Sequence, residues 1–157
     1  MTTSAATPPA DPVVASVRIA APPDVVFPYF TDPALATKWI ADVADLDARP
    51  GGVFAVDVDG NPARGNFVVI DPPHRVVFTW GVAGQSALPP GSSTVEVVLV
   101  AEGDQTVVTL THRDLPEEFR ATHDEGWTRF LSELAMVARP TAEGRARASR
   151  KPVVPPG

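Results

Sequence analysis

The side chains best suited to chemistry are three histidines, His74, His112 and His123. His74 follows "DPP", a turn signal, and is expected at the surface. His112 closes an alternating segment and His123 opens a helical one. Eleven residues apart with a loop between, the two can face one another at one end of the fold. Such a pair offers general acid–base chemistry, which makes His112 and His123 the catalytic candidates. It can equally serve as the polar handle of a ligand pocket, or sit hydrogen-bonded in a core. A metal site needs a third ligand, from Asp114 or Glu125, and nothing in the spacing fixes one, so no metal and no cofactor is predicted. Asp57, Asp59 and Asp71 fall at strand ends and in turns, with no reason to converge as a carboxylate pair. The chain lacks G-x-S-x-G, H-E-x-x-H, a Walker loop and G-x-G-x-x-G. With no cysteine it also lacks disulfides and thiol catalysis.

Elements must position these residues, and the hydrophobic pattern shows which. "VVASVRIA" (13–20) reads as a strand. "PPDVVFPYF" (22–30) has Val26, Phe27 and Phe30 at helical spacing, with Asp24 in the first turn. Pro28 removes a backbone bond there and is expected to kink or shorten that helix. Asp32-Pro33 predicts an N-cap and first helical residue, opening a second short helix through Trp39. Then come strand-like segments punctuated by "PGG", "DPP" and "EGDQ". Their alternation puts Phe54, Val56 and Val58, then Val76, Phe78 and Trp80, then Val95, Val97 and Leu99, then Val108, Leu110 and His112 on one face. The loop "VAGQSALPPGSS" (82–93) is longer than a hairpin needs. The last element is a helix starting near Glu117 or His123 and ending at Ala138. Its stripe of Trp127, Phe130, Leu131, Leu134 and Ala138 has His123 one turn earlier. Gly126 interrupts that first part at a cost of about 1 kcal/mol against alanine. Close approach of a neighbouring element, room for a ligand, or a hinge would each account for it.

The order is one strand, two short helices, a meander of about six strands and a long helix. An α+β fold follows, one antiparallel sheet with helices on one face. Its length of 157 residues fits one domain. Hydrophobic content of 44 % and charged content of 20 % are those of a soluble globular protein. Residues 1–12 and 139–157 read as disordered tails around a domain at 13–138. Five basic side chains against one acidic give the second tail +4, leaving −10 on residues 1–138 of a chain whose net charge is −6. An acidic body argues against nucleic acid as partner. No apolar run approaches the ~20 residues of a membrane span, and the first residues lack the pattern of a signal peptide, so the cytoplasm is the expected location.

Five segments in order, "IAAPPDVVF", "TDPALATKW", "RPGGVF", "DPPHRVVFTW" and "THDEGW" before the last helix, make residues 13–138 resemble a known family. It is the activator-of-heat-shock-ATPase homologue family of the START-like (SRPBCC, Bet v allergen-like) superfamily. The resemblance implies a helix-grip fold: a curved antiparallel sheet of six to seven strands wrapped around the long C-terminal helix, with a cavity between them. The implied function is binding of a hydrophobic small molecule, such as a lipid, a polyketide-like or an aromatic compound, without covalent chemistry. The ligand would touch Trp39, Phe54, Val56, Phe67, Phe78, Trp80, Val97, Leu99, Leu110, His112, His123, Trp127, Phe130, Leu131 and Leu134. A cyclase- or hydrolase-type enzyme using a cavity histidine is one alternative. A stress-response co-chaperone contacting a heat-shock chaperone through its surface, as monomer or dimer, is the other.

Overall fold

The computed structural model describes residues 12–138. Strand β1 (Val13–Ile19) is followed by a single turn of helix, α1 (Pro23–Val26), a 3₁₀ turn (Phe27–Phe30) and a second short helix, α2 (Pro33–Ala36). Strands β2 (Val43–Leu46), β3 (Val53–Val58), β4 (Asn61–Asp71), β5 (Arg75–Trp80), β6 (Ser93–Glu102) and β7 (Gln105–Arg113) form the meander. Helix α3 (Glu117–Ala138) ends the described chain. The tails expected at 1–12 and 139–157 lie outside the described residues, Pro12 excepted.

The local chemistry explains these boundaries. The α-helical geometry of α1 gives way to 3₁₀ at Phe27, one residue before Pro28, as a missing N–H demands. Asp32 caps α2, its carboxylate accepting from the Ala34 amide at 2.9 Å, with Pro33 at the first helical position. That helix stops at Ala36, earlier than expected, and turns carry the chain to Trp39, whose indole N–H donates to the Tyr29 carbonyl at 2.9 Å. Asp59 and Gly60 both have positive φ, which makes the two-residue link of β3 to β4 a turn matching strand twist.

All neighbouring strands pair antiparallel in one seven-stranded sheet of order β1-β7-β6-β5-β4-β3-β2. A bulge between Phe67 and Val69 shifts the β4–β5 register and bends the sheet. The concave face carries the expected alternation: Phe54, Val56 and Val58; Val76, Phe78 and Trp80; Val95, Val97 and Leu99; Val108, Leu110 and His112 are all buried. Trp127, Leu131, Leu134 and Ala138 of α3 are buried with them, while Phe130 is only half-buried. Burying Trp127, Leu131 and Leu134 contributes roughly 1.5–3 kcal/mol each. The outer face mixes polar side chains with exposed valines such as Val14, Val53 and Val100. There Glu96 accepts from Arg75 and Arg113, each at 2.6 Å, and these bonds hold its carboxyl below the usual range, Arg113 contributing most. The sheet gripping α3 is the helix-grip arrangement.

Candidate functional site

The space between sheet and helix is not uniform. Under the middle of α3 it is closed. Phe54 stacks on Phe78 at 3.9 Å and meets Phe67 edge-on at 5.5 Å. The void left there, bounded by Tyr29, Trp39, Phe54, Leu110 and Trp127, is only about 10 Å³. Toward the N-terminal part of α3 the two layers part around a half-open cleft of about 570 Å³. Trp127 lines both spaces, so its indole is the wall between core and cleft.

Three elements shape the cleft. Helix α3 contributes Phe119, Thr122, His123, Glu125, Gly126, Trp127, Arg129 and Phe130. The β3–β4 hairpin contributes Val58, Asp59, Asn61 and Ala63, and β5 contributes Trp80. The long loop after β5 contributes Val82, Gln85 and Leu88. That loop is a fixed wall. Val82 donates to the Leu88 carbonyl at 2.8 Å, Ala83 to Pro62 at 2.9 Å and Gly91 to Arg64 at 3.1 Å. Its base rests on Gly81, where a Cβ would lie 1.8 Å from the Pro89 carbonyl oxygen, so only glycine fits this approach. At the rim Arg129 reaches across to Asp59 at 2.8 Å and lies 4.5 Å over the Phe130 ring.

Gly126 sits where the cleft needs space. A Cβ built on it would meet nothing closer than the edge of the Phe130 ring at 4.0 Å. No neighbouring backbone presses on it, so close approach is not its reason. The missing side chain leaves room in the cleft.

The two histidines meet at the inner end, their rings 5.3 Å apart and nearly perpendicular. Their roles differ. His112 is fully buried and both its nitrogens are engaged. The Trp127 indole N–H donates to Nδ1 at 3.0 Å. The Ser93 hydroxyl donates to the Trp80 carbonyl at 2.6 Å, so at its 2.8 Å contact with Nε2 it accepts. These bonds define one tautomer, neutral, with the proton on Nε2. A second proton would have to enter on Nδ1, against the Trp127 donor. Burial first, and the neighbouring His123 charge second, push the His112 pKa down to about 3. His112 joins α3 to the sheet and has no lone pair left for catalysis.

His123 is half-buried at the cleft wall. Its Nδ1 lies 2.9 Å from the Phe119 carbonyl one turn back, and only a protonated Nδ1 can donate there. Nε2, on the ring edge remote from the helix backbone, is therefore the acceptor nitrogen, and no hydrogen bond fills it among the described residues. Burial lowers the His123 pKa, opposed by the bond to Phe119. The ring stands edge-on to Trp80 at 6.3 Å and Phe119 at 6.2 Å. Trp80 is buried and its own N–H has no partner among the described residues.

Of the side chains expected to meet a ligand, Trp80, His123, Trp127 and Phe130 line this cleft. Trp39, Phe54, Val56, Phe67, Phe78, Val97, Leu99, Leu110, His112, Leu131 and Leu134 do not; they are buried in the core beside it. Asp59 lies at the rim, paired with Arg129, and Asp57 pairs with Arg64 at 3.0 Å, so the carboxylates do not converge. Among the described residues no cluster of His, Cys, Asp and Glu could hold a metal ion. None of the described helices is long and apolar enough to cross a membrane.

Residues 20–139 match the family model described as Activator of Hsp90 ATPase homolog 1-like protein. The chain belongs to this family. The AHSA1-like protein from Rhizobium etli is 39 % identical, with 82 % of this chain and 81 % of that one covered and a TM-score of 0.66. CalU16 from Micromonospora echinospora is 30 % identical over 87 % of this chain and 81 % of its own, with a TM-score of 0.67. DynU16, from the dynemicin biosynthetic locus, is 25 % identical with a TM-score of 0.71; the match covers 82 % of this chain and 47 % of DynU16. No curated protein matches this AHSA1-like chain.

Proposed function

We propose that this AHSA1-like domain binds an apolar small molecule in the cleft at the N-terminal part of α3, without covalent chemistry. The cleft itself carries this reading. At about 570 Å³ it has the size of a small-molecule site, and most of its lining surface is apolar, with Trp80, Leu88, Phe119, Trp127 and Phe130 among its walls and Asp59, Asn61, Gln85, Thr122, His123, Glu125 and Arg129 supplying the polar part. Gly126 supports it, since a helix gives up stability there and the only local return is space. The closed interior beyond Trp127 gives an acyl chain no tunnel along the helix, which favours a compact ring system over an extended lipid. The place of DynU16 in a biosynthetic locus agrees with the handling of small molecules.

The test fills the cleft from within. Gly126→Leu keeps a good helix former, and its Cβ would meet nothing nearer than the Phe130 ring edge at 4.0 Å. Wild-type protein should gain about 2.7 kcal/mol of stability from a fused-ring probe at a hundred times its Kd. The variant should fold and gain nothing. Equal stabilisation of both would place binding elsewhere and overturn the reading.

A further inference from the structure

We propose that the ligand is a planar aromatic molecule bearing a hydroxyl group, phenolic or enolic, which donates its proton to Nε2 of His123. This rests on the cleft being a binding site and adds the chemical class of what it takes.

Two observations lead there. The first is the wall composition. Trp80, Trp127, Phe119, Phe130 and the His123 ring surround the cleft. Neighbouring rings meet tilted or edge-on, Trp80 with Trp127 at 5.2 Å and Trp80 with His123 at 6.3 Å. A flat ring system extends such packing with favourable edge and face contacts, and an aliphatic ligand gains no such geometry.

The second is the hydrogen-bond ledger of the inner end. His112, Ser93 and the Trp127 N–H satisfy one another and the Trp80 carbonyl. They offer a ligand nothing, and the Trp80 N–H, though unpartnered among the described residues, has its nitrogen buried away from the open space of the cleft. His123 spends its proton on Phe119 and keeps one acceptor. Burial holds the ring in its neutral form, so that acceptor persists at neutral pH. A ligand carbonyl or ether placed there would set acceptor against acceptor. A carboxylate would do the same and bring a charge into a largely apolar wall. A hydroxyl fits. Among the described residues His123 is thus the polar group at the inner end that discriminates between otherwise similar flat ligands.

The test compares 2-naphthol with 2-methoxynaphthalene, which has the same rings and no donor, by titration calorimetry on the full chain. The methyl group favours the ether on hydrophobic grounds, so any preference for the naphthol reports the hydrogen bond. Wild type is expected to bind 2-naphthol about three- to tenfold more tightly, the worth of one neutral hydrogen bond. His123→Phe keeps the ring and removes the acceptor, and it should bind the two probes equally. If wild type binds both probes equally, the hydroxyl assignment is wrong while the cleft reading stands. If His123→Phe retains the preference, the donor is met by another group and the assignment fails. If neither probe binds, the cleft reading falls and takes this inference with it.

Discussion

Acid should unfold this protein earlier than its carboxylates require, and His112 sets the size of the effect. In the folded state its pKa is about 3, against an ordinary 6.5. Between those values the unfolded chain binds a proton that the folded chain refuses. Stability therefore falls as the pH is lowered through this window, and the loss is complete below it. Each pH unit is worth about 1.4 kcal/mol. Moving from pH 7.5 to pH 5 should thus cost about 2 kcal/mol through His112 alone, out of a total stability of roughly 5–15 kcal/mol. His123, also lowered, adds in the same direction. Glu96 does not interfere. Its carboxyl is held below its ordinary 4.5, so the stability it contributes is lost only as the pH falls below that value. Urea denaturation followed by circular dichroism at pH 7.5 and pH 5, at one ionic strength, reads the difference. Proton NMR of the histidine rings assigns it. Equal stability at the two pH values, or a His112 resonance that titrates near 6.5, would refute the buried neutral assignment.

Further outcomes follow from the cleft. Gly126→Ala should raise stability by about 1 kcal/mol, because helix propensity improves and the nearest atom to the new Cβ is 4.0 Å away; a lowered melting temperature would show that the backbone there is needed as it stands. Gly81→Ala should destabilise by at least about 1–3 kcal/mol, since the new methyl meets the Pro89 carbonyl at 1.8 Å and must displace the cleft wall; thermal denaturation measures it. Arg129→Ala should change stability by less than about 1 kcal/mol in the same assay, because its pair with Asp59 is well exposed on both sides.

The architecture was legible because its signals are local and repeated. Period-two alternation put Val95, Val97 and Leu99 on the inner face, and they are buried. Pro28 broke the first helix where the missing N–H requires it. The cleft was less legible. Its walls come from the Asp59–Gly60 turn, the loop around Leu88 and the first turns of α3, brought together only by the bend of the sheet. Alternation names inward residues and says nothing of which inward space stays empty. Val58 was assigned to the inner face and still was not placed at the cleft. Ser93 was missed for a different reason. It lies where the long loop becomes β6, and its value to His112 depends on the Trp80↔Ser93 register. Phe119 and Arg129 carried only helix periodicity, with nothing to mark a rim. Gly126 was the one local sign, a residue that costs stability where packing does not call for it.

The most direct measurement uses the three indole N–H groups as separate reporters in a proton–nitrogen correlation spectrum. Trp80 and Trp127 line the cleft, whereas Trp39 is bound to the Tyr29 carbonyl on the far side of the closed interior. Titration with 2-naphthol should shift the Trp80 and Trp127 signals and leave Trp39 in place. Three unmoved signals, or a Trp39 shift as large as the others, would contradict a binding site at the N-terminal part of α3.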